Sequence, residues 1–288
     1  MLKTVIFSNN YTKGAPCVML LGGFDGLHIG HRLLLTRAKS FALPVGVMTI
    51  VGGKGLPLFT TKEREEIFSS LGADFAFELP FDEIKELSPQ AFVALLKENF
   101  NVQAFVCGDD FRFGKNAAGT PETLKADGQV RVEVENLISV DGEKVSSKTV
   151  KTLLQVGDVE KANTLLGERF FLIGEVEKDR QVGRTLGFPT ANIRYPSEKF
   201  SIKNGVYAGE AEIDGKVYKG IINYGSRPTF QNGEVWTESY FDGFDGDLYG
   251  KTLKIRFTKF LREIQKFNGV EELKAQLARD IRSIREND

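Results

Sequence analysis

Cys17-Val18-Met19-Leu20-Leu21-Gly22-Gly23-Phe24-Asp25-Gly26-Leu27-His28-Ile29-Gly30-His31 is a short apolar run followed by a glycine-rich turn that holds the chain's only two histidines. The run has the length of a buried strand, and Arg32–Ser40 carries the spacing of an amphipathic helix. A strand-to-helix turn of this kind gathers backbone N–H groups and the positive end of a helix dipole at one point, which suits a phosphate. Glycines let the backbone approach it, and two imidazoles supply directed donors. The stretch therefore predicts a nucleotide-handling site on an α/β fold. Phosphate charge beside the imidazoles would favour their cationic forms above the ordinary value of about 6.5.

Outward from this turn the chain alternates. Pro44–Val51 reads as a strand, Thr60-Thr61-Lys62-Glu63 as a capping box opening a helix to Gly72, and Asp74–Leu79 as the next strand. Ser88-Pro89 starts a helix to Asn99, and Gln103–Cys107 is a strand leading into Gly108-Asp109-Asp110-Phe111-Arg112-Phe113-Gly114. Strands alternating with helices predict a parallel sheet covered on both faces, with ligands at the carboxyl ends of the strands. One or two more strands are expected within Val130–Val140, and Ser146-Ser147-Lys148-Thr149-Val150-Lys151 caps a helix to Val156. Gly157 should end that helix and Asp158 cap the next.

Beyond Gly167 the periodicity changes to two, from Phe170 to Phe260, punctuated by Asp214-Gly215, Asn232-Gly233 and Asp245-Gly246. This half predicts an antiparallel barrel or sandwich. Gly269–Ile284 returns to helical spacing, with Val270, Leu273, Leu277 and Ile281 on one face. With 288 residues, two domains are expected, 1–160 and 161–288, their boundary between Glu160 and Glu168.

Composition narrows the function. Lys+Arg is 38 against Asp+Glu 39, a net charge of −1 with no basic block, which speaks against a nucleic-acid partner. Cys17 and Cys107 lie in predicted strands and are expected as buried, unpaired side chains of a protein of the reducing cytoplasm. Met1–Asn10 lacks the features of a signal peptide and no stretch approaches 18 apolar residues, so neither export nor a membrane is expected. A zinc site would need more ligands than two histidines supply. No Gly-x-x-x-x-Gly-Lys-Ser/Thr loop occurs, so any kinase step is of another type.

His28-Ile29-Gly30-His31 resembles the signature of the nucleotidyltransferase superfamily shared with class I aminoacyl-tRNA synthetases. Within it, Gly22, Phe24, Asp25, Gly26, His28, Gly30 and His31 stand as in the bifunctional riboflavin kinase/FMN adenylyltransferases, where Asn is usual at Gly23. Gly108–Gly114 is similar to that family's Gly-x-Asp-Phe-x-Phe-Gly, and Ser146–Lys151 to its Ser-Ser-Thr-x-Ile-Arg, with Lys148 for Thr and Lys151 for Arg. In the second half, Gly183-Arg184-Thr185-Leu186-Gly187-Phe188-Pro189-Thr190-Ala191-Asn192 resembles the riboflavin kinase signature, with Asp179 upstream where Gly is usual. Asn223–Phe230 and Asp247–Gly250 match the family's barrel strands, and Asp242-Gly243 replaces Leu-Asp, which suggests a bulge.

The resemblance spans about Thr4 to Asp280 and implies an adenylyltransferase domain followed by a kinase barrel. It implies riboflavin and ATP giving FMN, then FMN and ATP giving FAD and pyrophosphate, with Mg²⁺ serving both steps. It assigns Glu238 as general base, and Thr190 and Asn192 as magnesium and phosphate ligands, with Gly183, Arg184, Pro189 and Arg262 at the kinase substrates. His28 and His31 carry adenylyl transfer, with Gly22, Phe24, Asp25, Gly30, Gly108, Asp109, Arg112, Ser146, Ser147 and Lys151 binding its substrates. No obligate protein partner is implied. Two other readings remain at this point: an adenylyltransferase for another substrate with a binding-only barrel, and a non-catalytic RNA-binding relative of the synthetases. The Thr190, Asn192 and Glu238 constellation opposes the first and the neutral charge the second.

Overall fold

A computed structural model describes residues 2–6, 14–53, 55–136, 138–178, 190–226 and 234–286. Two compact units divide the chain, Met1–Ser147 and Lys148–Asp288.

The first unit is built on a six-stranded sheet in the order β1-β4-β3-β2-β5-β6, parallel throughout. Its strands are β1 (Lys3–Ile6), β2 (Cys17–Leu21), β3 (Val45–Val51), β4 (Phe75–Pro80), β5 (Val102–Gly108) and β6 (Arg131–Glu135). Between them run α1 (Ile29–Lys39), α2 (Thr61–Ser70), α3 (Phe81–Ile84), α4 (Pro89–Asn99) and α5 (Pro121–Ala126). Every residue of β2 is buried. Cys17, Met19 and Leu21 pack with Phe92, Val93 and Leu96 of α4, while the alternate Val18 and Leu20 fill the opposite face. This two-sided burial is why β2 reads as a continuous apolar run.

The expected caps form. Thr60 and Glu63 bond reciprocally at the start of α2, and Ser88 accepts from Ala91 N–H ahead of Pro89. Burial pushes the free thiols up, Cys17 to about 11 and Cys107 to about 12, which leaves both as inert packing groups. From β2 the chain winds outward through β3 and β4, then crosses back to place β5 on the other side of β2. The switch point therefore lies between β2 and β5, where the two glycine motifs emerge.

A small hairpin, β7 (Ser139–Val140) with β8 (Glu143–Lys144), ends this unit. The two compact units part at 147/148, and the expected domain boundary at 160/161 lies within the second of them. Both α6 (Ser147–Val156) and α7 (Val159–Leu166) pack into the second unit: Lys203 N–H donates to Leu154 C=O at 3.0 Å and Asn163 Nδ2 to Phe257 C=O at 2.9 Å.

The second unit is a nearly closed antiparallel barrel in the order β10-β13-β12-β11-β14-β9. Its strands are β9 (Phe171–Glu175), β10 (Thr190–Arg194), β11 (Gly205–Ile213), β12 (Lys216–Ser226), β13 (Val235–Phe241) and β14 (Thr252–Arg262). Asp214-Gly215 makes the two-residue β11–β12 turn with both φ angles positive, 51° and 79°. Asn232-Gly233 lies outside the described residues, and Asp245-Gly246 falls in a longer connection rather than a tight hairpin. Among the described residues, the last seam closes at one bridge, Glu177 N–H to Asn192 C=O at 2.8 Å.

The bulge suggested by Asp242-Gly243 is absent from the β12–β13 ladder, whose register is regular to Phe241; the shifts fall in β11–β14 instead. Helix α8 (Val270–Glu286) covers Val206, Ala208 and Ile221 with Ile281 and Ile284. Its buried face includes Asp280, whereas Val270 is 49% exposed, so the apolar stripe starts later than its spacing suggested.

Candidate active sites

Beyond β2 the chain turns through Phe24 (φ 41°) and Leu27 (φ 43°), two left-handed non-glycine residues of the kind that gathers at functional turns. Both side chains are buried, which holds the turn in place. Phe24 lies behind the histidines with its ring 4.6 Å from that of His31, and Asp25 accepts the Leu58 N–H at 2.6 Å. These two predicted binding residues brace the turn. His28 is the N-cap of α1 in an extended conformation, and α1 has no acidic residue in its first turn, so the helix presents amides and dipole unopposed.

The imidazoles of His28 and His31 stack at 3.7 Å with 15° between planes. This packing favours glycine at 30, since a Cβ there would stand 3.1 Å from His28 Nδ1 and press the ring aside by a few tenths of an ångström. Nδ1 of each ring is buried with no hydrogen-bond partner. Burial pulls His28 down to about 4, against the raising effect of Asp110 and Asp25. His31 falls well below its ordinary value through burial and then the neighbouring His28. The protein's own environment thus favours neutral rings on balance, opposite to the expectation drawn from phosphate charge; a negatively charged ligand would act in the same direction as Asp110 and Asp25.

A cavity of about 300 Å³ opens at this point, lined by Gly22, Gly23, His28, Gly30, His31, Gly108, Asp110, Arg112, Glu135, Asn136 and Ser146, with an apolar remainder that includes Ile138 and Val145. It brings together most of the predicted adenylyl-transfer residues. Asp109 is exposed and off the cavity, its N–H bonded to Glu135 C=O at 3.0 Å. Its neighbour Asp110 lines the cavity instead, ion-paired with Lys144 at 2.8 Å. Asp110 is the invariant position of the quoted Gly-x-Asp-Phe-x-Phe-Gly pattern, so the signal was present in the motif. Arg112 folds its guanidinium onto Phe111 C=O at 2.8 Å. Ser147 begins α6, and Lys151 lies in the second unit with its ammonium 5.4 Å from the centre of the Phe200 ring. A Cβ at Gly23 would meet nothing within 4 Å.

The barrel assembles a second constellation through strand register. Asn192 pairs with Glu238, Glu238 with Asn223, Asn223 with Val206, and Val206 with Arg262. Directly opposed residues share a face, so Asn192, Glu238, Asn223 and Arg262 form one row across five strands. Thr190, two residues from Asn192, joins the same face. Asn223 Oδ1 in this row is buried without a partner. Arg262 reaches Asp280 of α8 with three contacts of 2.7–3.2 Å, so its guanidinium is committed to the helix. A cavity of about 330 Å³ adjoins the row at Thr190, lined also by Val176, Ala191, Phe241 and the Phe244–Tyr249 connection. Gly183, Arg184 and Pro189 lie outside the described residues.

Among the described residues no group of three or more His, Cys, Asp or Glu is placed to hold a metal. The donors of the barrel row are hydroxyl, amide and carboxylate oxygens. Such a set fits Mg²⁺, which takes oxygen ligands and keeps much of its shell as water and phosphate.

A helix N-terminus and paired histidines at the switch point of a parallel sheet in one unit, and in the other a barrel whose row carries one carboxylate among amides and a hydroxyl, define a two-domain nucleotide-using transferase. Residues 11–149 match the family model for FAD synthetase and 166–287 that for riboflavin kinase. A bifunctional riboflavin kinase/FMN adenylyltransferase of Bacillus subtilis is 36% identical over 92% of this chain and 90% of its own. The enzyme of that name from Escherichia coli K12 is 33% identical over 94% and 92%. The chain belongs to the bifunctional riboflavin kinase/FMN adenylyltransferase family. A solved structure from Streptococcus pneumoniae, titled a macrolide-efflux protein, shares the fold with TM-score 0.89 and 28% identity over 99% of both chains. No described helix of this chain is long and apolar enough to cross a membrane.

Proposed function

We propose that the two activities of this family run on the two residue sets described above. Riboflavin phosphorylation belongs to the barrel row and adenylyl transfer to the histidine cavity. The observation that carries the division is the row itself, because register alone brings Asn192, Glu238 and Arg262 onto one face from three distant strands.

In the kinase step Glu238 takes the proton of the ribityl 5′-hydroxyl as its oxygen attacks the γ-phosphorus of ATP, and ADP leaves. Thr190 and Asn192 offer the oxygens that would hold Mg²⁺, which when bound neutralises phosphate charge. Arg262, fixed by Asp280, orders the edge of the flavin site. The cavity at Thr190 is where the nucleotide is held.

In the second step a phosphate oxygen of FMN attacks the α-phosphorus of ATP, forming the new P–O bond of FAD as pyrophosphate departs. The amides at the start of α1 and the Nε2 atoms of His28 and His31 receive the charge that builds on the α-phosphate oxygens. No protein nucleophile is needed; alignment supplies much of the acceleration. Buried free thiols accord with a cytoplasmic location.

Glu238→Gln is expected to abolish FMN formation from riboflavin while added FMN is still converted to FAD. The His28→Ala/His31→Ala double variant is expected to do the reverse, with flavins separated after incubation with Mg·ATP. Loss of both activities in either folded variant would overturn the division.

A further inference from the structure

The histidine cavity carries two carboxylates, Asp110 and Glu135, although its ligand is a polyanion. Each has a cation behind it. Lys144 Nζ stands 2.8 Å from Asp110, and Arg37 bridges Glu133 at 2.5 Å and Glu135 at 3.5 Å. The Arg37 contact neutralises Glu135 without hydrogen-bonding it, since Arg37 Nε has no hydrogen-bond partner. Glu135 is therefore a cavity carboxylate, its side chain 28% exposed, whose charge is balanced and whose lone pairs are available to a donor.

Position says which donor. Glu135 ends β6, two strands from β2 across β5, a lateral span of about 10 Å at ordinary strand spacing. That is about the reach of a nucleoside monophosphate from its phosphorus to the base. Ile138 and Val145, paired at the foot of the β7–β8 hairpin by a 3.1 Å bond, add apolar wall there that suits a flat ring. Building on the reading of this cavity as the adenylyl-transfer site, we propose that Glu135 is a specificity-determining residue: its carboxylate accepts the exocyclic amine of adenine. Guanine presents a carbonyl oxygen at that edge, and two acceptors repel.

Steady-state FAD formation from FMN with ATP, GTP or the 6-desamino analogue purine riboside triphosphate tests this in the full chain. Wild type should favour ATP over both others by tenfold or more in kcat/KM, the range of a hydrogen bond to a charged group. Glu135→Gln is isosteric and can also donate, so the ATP-to-GTP ratio should contract at least tenfold, with riboflavin phosphorylation unchanged. An unchanged ratio in a variant that still makes FAD overturns the proposal. So does a change that falls on ATP against 2′-deoxy-ATP instead, which would assign the carboxylate to the ribose. Undiminished FAD formation by His28→Ala would instead sink the reading of the cavity, a separate failure.

Discussion

At the scale of single residues, the stacked histidines couple the cavity at the start of α1 to pH. His28 titrates near 4 in the folded chain and near 6.5 unfolded, so below about pH 6.5 the unfolded state binds the extra proton. Its contribution to stability is complete above pH 6.5 and is lost as pH falls toward 4; His31, lowered in the same sense, adds to it. Melting temperature is expected to drop between pH 7 and 5, and the His28→Ala/His31→Ala variant to show a flatter profile; equal slopes would contradict the assignment. Residue identities at this site were legible because the turn packs them within a few positions of one another. Of the two adjacent carboxylates, the motif's own Asp position marks Asp110, and the fold places that one on the cavity and Asp109 off it. Glu135 carried no local signal at all: its role comes from the end of a strand distant in sequence.

Elements supply what residues cannot. Two Arg–Asp pairs of opposite direction join α8 to the barrel: Arg262 of β14 to Asp280, and Arg285 to Asp242 beyond β13. Arg285 lowers the Asp242 carboxyl by hydrogen bonding and charge, so the substitution that suggested a bulge serves as a helix anchor. The first pair is buried, with side chains 16% and 6% exposed, and removing one member of such a pair costs about 3–5 kcal/mol. Asp280→Asn is expected to lower stability by about 3 kcal/mol in denaturant titration. It should also raise the KM for riboflavin, because a released Arg262 no longer defines the row beside Glu238. Adenylyl transfer from added FMN should be unaffected. Strand existence in this half was readable from alternation, but the row was not, since pairing register between strands is a long-range property. β1 escaped notice for a related reason: four residues at a sheet edge give too short a pattern.

For the whole molecule the position of the division matters more than its existence. Ser146-Ser147-Lys148-Thr149-Val150-Lys151 looks continuous with the first unit in sequence because a motif runs through it, yet the helix it starts is held by the second. A chain beginning at Lys148 is expected to fold and phosphorylate riboflavin. One beginning at Gly157 loses α6 and the Leu154–Lys203 bond while keeping α7 and its Asp158 cap, and should melt several degrees lower by circular dichroism. Equal melting would place α6 outside the barrel's cooperative unit.

The narrow seam of the barrel gives the kinase half a direction of breathing. Elsewhere neighbouring strands are joined by ladders, whereas among the described residues the β9–β10 seam has one backbone bridge, Glu177 to Asn192, beside an ion pair of Arg194 with Glu177 at 3.5 Å. Parting there breaks one backbone hydrogen bond and the exposed Arg194–Glu177 contact, fewer than any ladder of the barrel holds. Asn192 and Thr190 sit on that lip, so on the proposed assignment the oxygens that would meet the nucleotide's phosphates belong to the strand at the seam. A substitution that widens the seam would then be felt at those phosphates.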